Sequence, residues 1–253
     1  MNRIYAAFFG LIIAMLAELA FAAPAVVASL TGTAQAIPGA GAPRTLRLGD
    51  EVNQAETIVT SAASSVVLRF EDGQIVALTP NSRLVVNTYV YDRQDASKSN
   101  VLVSLVEGGM RAITGLIGKQ RPAQVAYRAG NATIGIRGTD VTVGTVGGNL
   151  AISVTEGGIS FTFQGKTTTV NAGEGVDART DGSLRRAALA EFIASLSPEM
   201  KAIFSDADKI ILNRIIQQAG QQDLRENPPS PLGTQSTTSS SNSTSGGGGA
   251  STR

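Results

Sequence analysis

The chain has 253 residues, and 21 Lys and Arg against 20 Asp and Glu leave a formal charge of +1, too even a balance for the clustered basic excess that nucleic acid demands. His and Cys both number 0, which excludes imidazole- and thiolate-based nucleophilic chemistry, zinc sites built on those ligands, and disulfides. No Trp and 5% aromatics leave little for stacking platforms, whereas 42% hydrophobic residues suffice for a core.

Met1, Asn2 and Arg3 form a small positive start, followed by an apolar run over residues 4–17 and by small residues at Ala20 and Ala22, the positions a signal peptidase reads. The run is shorter than the roughly 20 residues of a bilayer span, and Gly10 and Glu18 weaken it as an anchor. Residues 1–22 are therefore expected to be a cleaved secretory signal, with cleavage near Ala22 and Ala23; an uncleaved anchor is the alternative. No Cys follows the run, so a lipid anchor is excluded, and no second apolar run of spanning length occurs. The expected location is the periplasm or the exterior of a bacterial cell, for a chain that does not span the membrane after cleavage.

Between residues 25 and 176 the dominant period is two. Val66, Leu68 and Phe70 alternate with Val67 and Arg69, and the same pattern recurs at Ile134 and Ile136, at Leu150, Ile152 and Val154, and at Ile159, Phe161 and Phe163. Turn signals separate the runs: Gly49-Asp50, Glu71-Asp72-Gly73, Pro80-Asn81-Ser82, Glu107-Gly108-Gly109, Gly147-Gly148, Glu156-Gly157-Gly158 and Gly173-Glu174-Gly175. Residues 93–100 read as a longer polar loop. The expectation is an all-β domain over 23–182, a sandwich or a solenoid-like stack of many short strands. Ser104-Leu105-Val106-Glu107-Gly108-Gly109-Met110 is echoed by Ser153-Val154-Thr155-Glu156-Gly157-Gly158-Ile159, and either two solenoid rungs or two similar hairpin turns produce such an echo.

After Asp181 the period lengthens. Leu184, Ala188, Phe192 and Leu196 recur every fourth residue, with Ser183 as a cap, which predicts a helix. Ser197-Pro198-Glu199 offers a second helix start, and Ser205 with Asp208 a third, with the stripe Ala207, Ile211, Ile215 and Ala219 and Gly220 as its stop. A helical segment is thus expected over 183–222. Residues 223–253, rich in Pro, Ser, Thr and Gly, are expected to be a disordered tail.

Several of these pieces, in order, resemble a FecR-type domain, a periplasmic module named after regulators of iron-siderophore signalling. They are Leu48-Gly49-Asp50-Glu51-Val52 with Ile58-Val59-Thr60, the stretch from Ser65-Val66-Val67-Leu68 through Glu71-Asp72-Gly73-Gln74, Pro80-Asn81-Ser82-Arg83-Leu84, Glu107-Gly108-Gly109-Met110-Arg111-Ala112, Ile134-Gly135-Ile136-Arg137-Gly138-Thr139-Asp140-Val141, Val154-Thr155-Glu156-Gly157-Gly158-Ile159 and Ala172-Gly173-Glu174. The resemblance covers about residues 25–176. Members that regulate sigma factors join this module to a cytoplasmic helical segment through one transmembrane helix; here it follows the signal-like segment directly. The resemblance therefore implies an envelope module that binds or scaffolds, without the cytoplasmic arm.

Arg137-Gly138-Thr139-Asp140 is the most distinctive stretch. Arg137 and Asp140 are read either as a charged spot for a partner or as structural, the Arg pairing with a carboxylate or with carbonyls beside a bend at Gly138. Asp72, Glu107, Glu156 and Glu174 each stand by a glycine, the ordinary chemistry of turns, against the alternative of a catalytic carboxylate pair. Gly165-Lys166-Thr167 lacks the earlier glycine of a phosphate loop, since Ser160 stands there, and reads as a hairpin turn. Asn131-Ala132-Thr133 is a glycosylation acceptor in form only, on a strand that reads as core. No catalytic, cofactor-binding or metal-binding residue is expected. The expected partner is an envelope protein, engaged by strand addition at an exposed β-edge; the alternative is an envelope polysaccharide or peptidoglycan, read by Asn, Thr and Arg rows.

Overall fold

The computed structural model describes residues 23–226, so the expected signal segment and residues 227–253 of the expected tail lie outside the described residues. The first eight strands are β1 (Ala25–Thr31), β2 (Ala34–Ile37), β3 (Arg44–Thr45), β4 (Glu51–Val52), β5 (Thr57–Thr60), β6 (Ser65–Phe70), β7 (Ile75–Leu78) and β8 (Arg83–Val90). Then come β9 (Asn100–Ile113), a short helix α1 (Leu116–Gln120), β10 (Val125–Ala129), β11 (Ala132–Val146), β12 (Asn149–Phe163), β13 (Lys166–Asn171), β14 (Glu174–Ala178) and β15 (Leu184–Ala188). Two helices close the described chain, α2 (Leu189–Ser195) and α3 (Pro198–Glu226). The fold is all-β with a small helical end, as the period-two pattern predicts.

All fifteen strands belong to one hydrogen-bonded network, and its pairings divide into two wings. In wing A, β2 pairs with β3 and β5, then β8, the first half of β9, β10, the first half of β11, the second half of β12 and β13 follow in order. In wing B the order is β4, β1, β6, β7, the second halves of β9 and β11, the first half of β12, β14 and β15. Val103, Tyr127, Ile134 and Phe161 of wing A share one apolar cluster with Leu68, Val76, Met110, Val143 and Ile152 of wing B. Of the two architectures left open by the sequence, this is the sandwich.

The strands that cross between wings are long, at 14 residues for β9 and 15 each for β11 and β12. Each changes parity at its midpoint. Val101, Val103 and Leu105 face the core before Gly108, and Met110 and Ala112 after it; Leu150, Ile152 and Val154 face it before Gly157, and Ile159, Phe161 and Phe163 after it. A β-bulge supplies the extra residue that the parity change needs, so the apolar row stays inward while the strand turns the corner. Glu107-Gly108-Gly109 and Glu156-Gly157-Gly158 are therefore bends inside strands, not chain reversals. The internal echo marks two equivalent corners, neither solenoid rungs nor hairpins.

The end of the chain also departs from the sequence reading. Leu184–Ala188 is a strand, because the free side of β14 offers a full ladder, from Glu174 opposite Ala188 to Ala178 opposite Leu184. The helical stripe begins only at Leu189. Ser197 caps α3 as expected, accepting a bond from the Met200 N–H at 3.3 Å. α3 then runs through Ser205 and Gly220 without a new start or a stop. Met200, Phe204, Ala207 and Ile211 form one buried stripe across Ser205, and a single interior glycine costs only about 1 kcal/mol relative to Ala. Residues 223–226, assigned to the tail from sequence, belong to this helix.

α2 and the first part of α3 cover the outer face of wing B. Three glycines make room: a Cβ at Gly109 would overlap Ile203, one at Gly175 would overlap Phe192, and one at Gly144 would lie 2.6 Å from the Met200 sulfur. Gly109 and Gly144 are paired directly, and Ala151 follows on the next strand, so the row under the helix is small throughout. Val67, Ala77 and Ile211 continue the apolar contact at the far side.

Candidate interaction surface

At the corner of β11, Arg137 pairs with Gly158 and Asp140 with Glu156, leaving Gly138 and Thr139 as the bulge opposite Gly157. Gly138 has φ +60° and Gly157 φ +75°, values that glycine adopts without steric cost. Thr139 is buried and its N–H donates to Thr114 Oγ1 at 2.8 Å, while that hydroxyl donates to the Thr139 carbonyl at 2.8 Å. Asp140 accepts two bonds from Arg111, from Nε at 2.8 Å and from Nη2 at 2.7 Å. The remaining Arg111 Nη1 reaches Asp208 of α3 at 2.7 Å. Hydrogen bonding to Asp140 holds the Arg111 guanidinium above its ordinary pKa.

The distinctive stretch thus divides. Gly138, Thr139 and Asp140 fix the corner and its link to the helix. Arg137 is exposed and forms no ion pair among the described residues. The structural pairing expected of Arg137 belongs instead to Arg111, which stands within the FecR-like stretch Glu107-Gly108-Gly109-Met110-Arg111-Ala112. Its one sequence signal is parity: Arg111 lies between the core residues Met110 and Ala112, on the face the helix covers.

The structure does not assemble the four acids. Asp72 is 2% exposed and accepts bonds from the Gln74 N–H at 3.1 Å, the Tyr89 hydroxyl at 3.2 Å and the Ile117 N–H at 3.2 Å, which ties the β6–β7 turn to α1. Glu107 and Glu156 are exposed at the two corners, and Glu174 accepts from the Asn171 N–H at 2.8 Å. No two of the four share a hydrogen-bonding partner among the described residues, and no cluster of metal-ligating side chains occurs there either. Glu107 lines a cleft of about 660 Å³ together with Glu199 and Asp206, between the strand ends and α3.

Around Asp72 the core holds a polar network in which the Tyr127 hydroxyl donates to Gln74 Oε1 at 3.0 Å. Burial, reinforced by the Asp72 charge, pushes the Tyr89 and Tyr127 phenols well above their ordinary pKa. A raised acid pKa means the folded state holds the proton more tightly than the unfolded chain. The stabilisation is present below about pH 10, the unfolded phenol's value, and is lost as pH rises above it. In an alkaline titration followed by phenolate absorbance, these two tyrosines are expected to ionise only together with loss of the native circular dichroism signal. Ionisation of either with the fold intact would contradict the burial argument.

Among the described residues, no helix covers the outer face of wing A. Ala126, Gly135, Ser160 and Thr169 form one cross-strand row, the floor of a groove of about 470 Å³ that Pro122 and Ala123 wall on one side and Arg137 borders. The next row is Arg128, Thr133, Thr162 and Thr167, with the last two hydroxyls 2.9 Å apart.

Strand β13 forms the edge of this wing. It leaves β12 through Gln164 and Gly165, whose φ values of 48° and 75° make a two-residue turn of type I′, so Phe163 and Lys166 are a hydrogen-bonded pair. Alternation along the ladder then points the backbone groups of Thr168 and Val170 at β12 and those of Thr167, Thr169 and Asn171 away from it. β15 pairs with β14 in wing B and turns into α2 at Leu189, so among the described residues no strand pairs with the outer side of β13. β13 presents an open edge six residues long.

The described residues form a two-winged β-sandwich with corner glycines, helices on the outer face of one wing, and an uncovered outer face with a singly paired edge strand on the other. Residues 56–160, from the start of β5 into the second half of β12, match the family model described as FecR protein. The chain carries a FecR-type domain. The strands before and after the matched range complete the same hydrogen-bonded sheet. Two crystal structures of a "putative anti-sigma factor" from Parabacteroides distasonis ATCC 8503, at 1.65 and 2.50 Å, each align at 16% identity and a TM-score of 0.42. Each alignment covers 52% of this chain and 59% of the other. No curated protein matches the chain. Among the described residues no helix is long and apolar enough to cross a membrane.

Proposed function

We propose that this chain is a non-enzymatic module of the bacterial envelope, exported to the periplasm, that binds a protein partner by adding an extended segment of it to the β13 edge. The observation that carries this reading is that helices cover the outer face of wing B, while among the described residues no helix covers that of wing A and its edge strand β13 pairs only with β12. The FecR-type match supports a signalling-associated role with protein partners. A six-residue edge accepts a segment about 20 Å long, with main-chain bonds for affinity and the alternate side chains for specificity. Arg137 offers a charge to the same partner two strands away.

In-cell crosslinking and capture tests this. Thr167 turns its N–H outward, so Thr167→Pro removes no main-chain bond to β12, only the exposed hydroxyl contact with Thr162, and leaves stability nearly unchanged. It is expected to reduce capture about tenfold, the equivalent of one lost main-chain bond. Arg137→Ala, which breaks no ion pair, is expected to lower capture several-fold at unchanged melting temperature. Undiminished capture by both variants would sink the proposal.

A second reading rests on the row Arg128, Thr133, Thr162 and Thr167, which aligns hydroxyls and one guanidinium across four strands. In this reading the open face binds envelope polysaccharide or peptidoglycan. Co-sedimentation of the protein with purified cell-wall material, lost on Thr133→Val with Thr162→Val, would favour it over the first.

A further inference from the structure

Two groups on the β13 edge are already occupied by side chains. Arg186 of β15 donates from Nη1 to the Thr169 carbonyl at 2.8 Å, and Glu174 of β14 takes the Asn171 N–H at 2.8 Å. Both side chains stand where a neighbouring strand would place its own N–H and carbonyl. Arg186 itself is half exposed, at 46%, with its Nε 3.9 Å from Glu174. We infer that Arg186 and Glu174 guard this edge, blocking its pairing with a second copy of the chain until a partner strand displaces them. The inference rests on the reading of β13 as the binding edge and adds how that edge is regulated.

The need for a guard follows from the strand. Lys166-Thr167-Thr168-Thr169-Val170-Asn171 is rich in β-branched residues, and a long edge of this kind templates pairing with an identical one. Two copies related by a two-fold axis would pair antiparallel with Thr169 opposite Thr169, or with Thr167 opposite Thr169. Both registers use the Thr169 carbonyl that Arg186 holds. The first also sets Asn171 opposite Thr167, and so uses the Asn171 N–H that Glu174 holds. The guard therefore sits on the groups that self-pairing requires, while the backbone of Thr167 stays free for a partner to make the first contact.

Sedimentation of the purified full chain tests this without knowledge of the partner. The native protein is expected to be monomeric, and Arg186→Ala to self-associate at least about tenfold more strongly at matched concentration. Glu174→Ala frees the Asn171 N–H independently and is expected to shift association in the same direction. Adding Thr167→Pro to Arg186→Ala is expected to restore the monomer. Circular dichroism confirms that each variant is folded. If both guard variants sediment like the native chain, or if association survives Thr167→Pro, the inference is overturned. Loss of partner capture by Thr167→Pro with monomeric guard variants would remove the guard and keep the binding edge. Self-association through β13 with partner capture unaffected by Thr167→Pro would do the reverse.

Discussion

Gly157→Ala is expected to cost more than about 3 kcal/mol of unfolding free energy, enough to leave much of a marginally stable domain unfolded. Two causes act at this position. Gly157 has φ +75°, where an L side chain costs about 1–2 kcal/mol. A Cβ there would also overlap the carbonyl of Gly138 across the corner, and backbone within a ladder cannot move aside as a side chain can. Gly138 is the internal control. It lies in the same bulge at φ +60°, with nothing within 4 Å of an added Cβ. Gly138→Ala should therefore lose only the backbone cost of about 1–2 kcal/mol. Urea unfolding of the two variants separates strain from collision. Equal losses would mean that the corner is not packed as described.

Asp140→Ala is expected to cost about 3 kcal/mol, because it leaves the Arg111 guanidinium without its two-bond partner beneath α3. Both side chains of the pair are only 13% exposed. The third member, Asp208, is 70% exposed and holds Arg111 through one bond, so it compensates little. Removing both charges should be milder: Arg111→Met with Asp140→Leu replaces the pair by apolar groups of similar size and is expected to recover most of the loss. A double-mutant cycle read by chemical denaturation should show coupling of about 2 kcal/mol between the two positions. Additive losses would show that Asp140 acts at the corner alone, without the helix. The same cycle separates the structural half of the distinctive stretch from Arg137, which should affect capture and leave stability alone.

These corners show where sequence reading stops. Glycine with positive φ serves a hairpin turn and a bulge equally well, so Glu107-Gly108-Gly109 and Glu156-Gly157-Gly158 look like reversals when read along the chain. What makes them bends is the ladder on either side: β10 lies between β9 and β11 before the corner, and β9 and β11 pair directly after it. Arg111 was equally hidden. Its partners lie 29 and 97 residues away, and only the packing of α3 on wing B turns a charged strand residue into a buried tie. The spacing of Leu184 and Ala188 fits a helix, but two positions are a single turn, and the free ladder of β14 outweighs one turn of helix propensity. Ser205 and Gly220 carry start and stop chemistry that stays silent because the buried stripe runs past Ser205.

By itself the sequence determined the inward apolar rows of the main strands, that the body is β, that tight turns fall at Gly73, Asn81 and Gly165, and the family resemblance. These are local properties: side-chain period, backbone permissiveness and capping act within a few residues. Only the tertiary structure decided which face the helices cover, which carboxylate holds which arginine, and which strand is left at an edge. Those outcomes depend on ladder hydrogen bonds and side-chain contacts between segments tens of residues apart, and no local pattern records which of the possible partners is met.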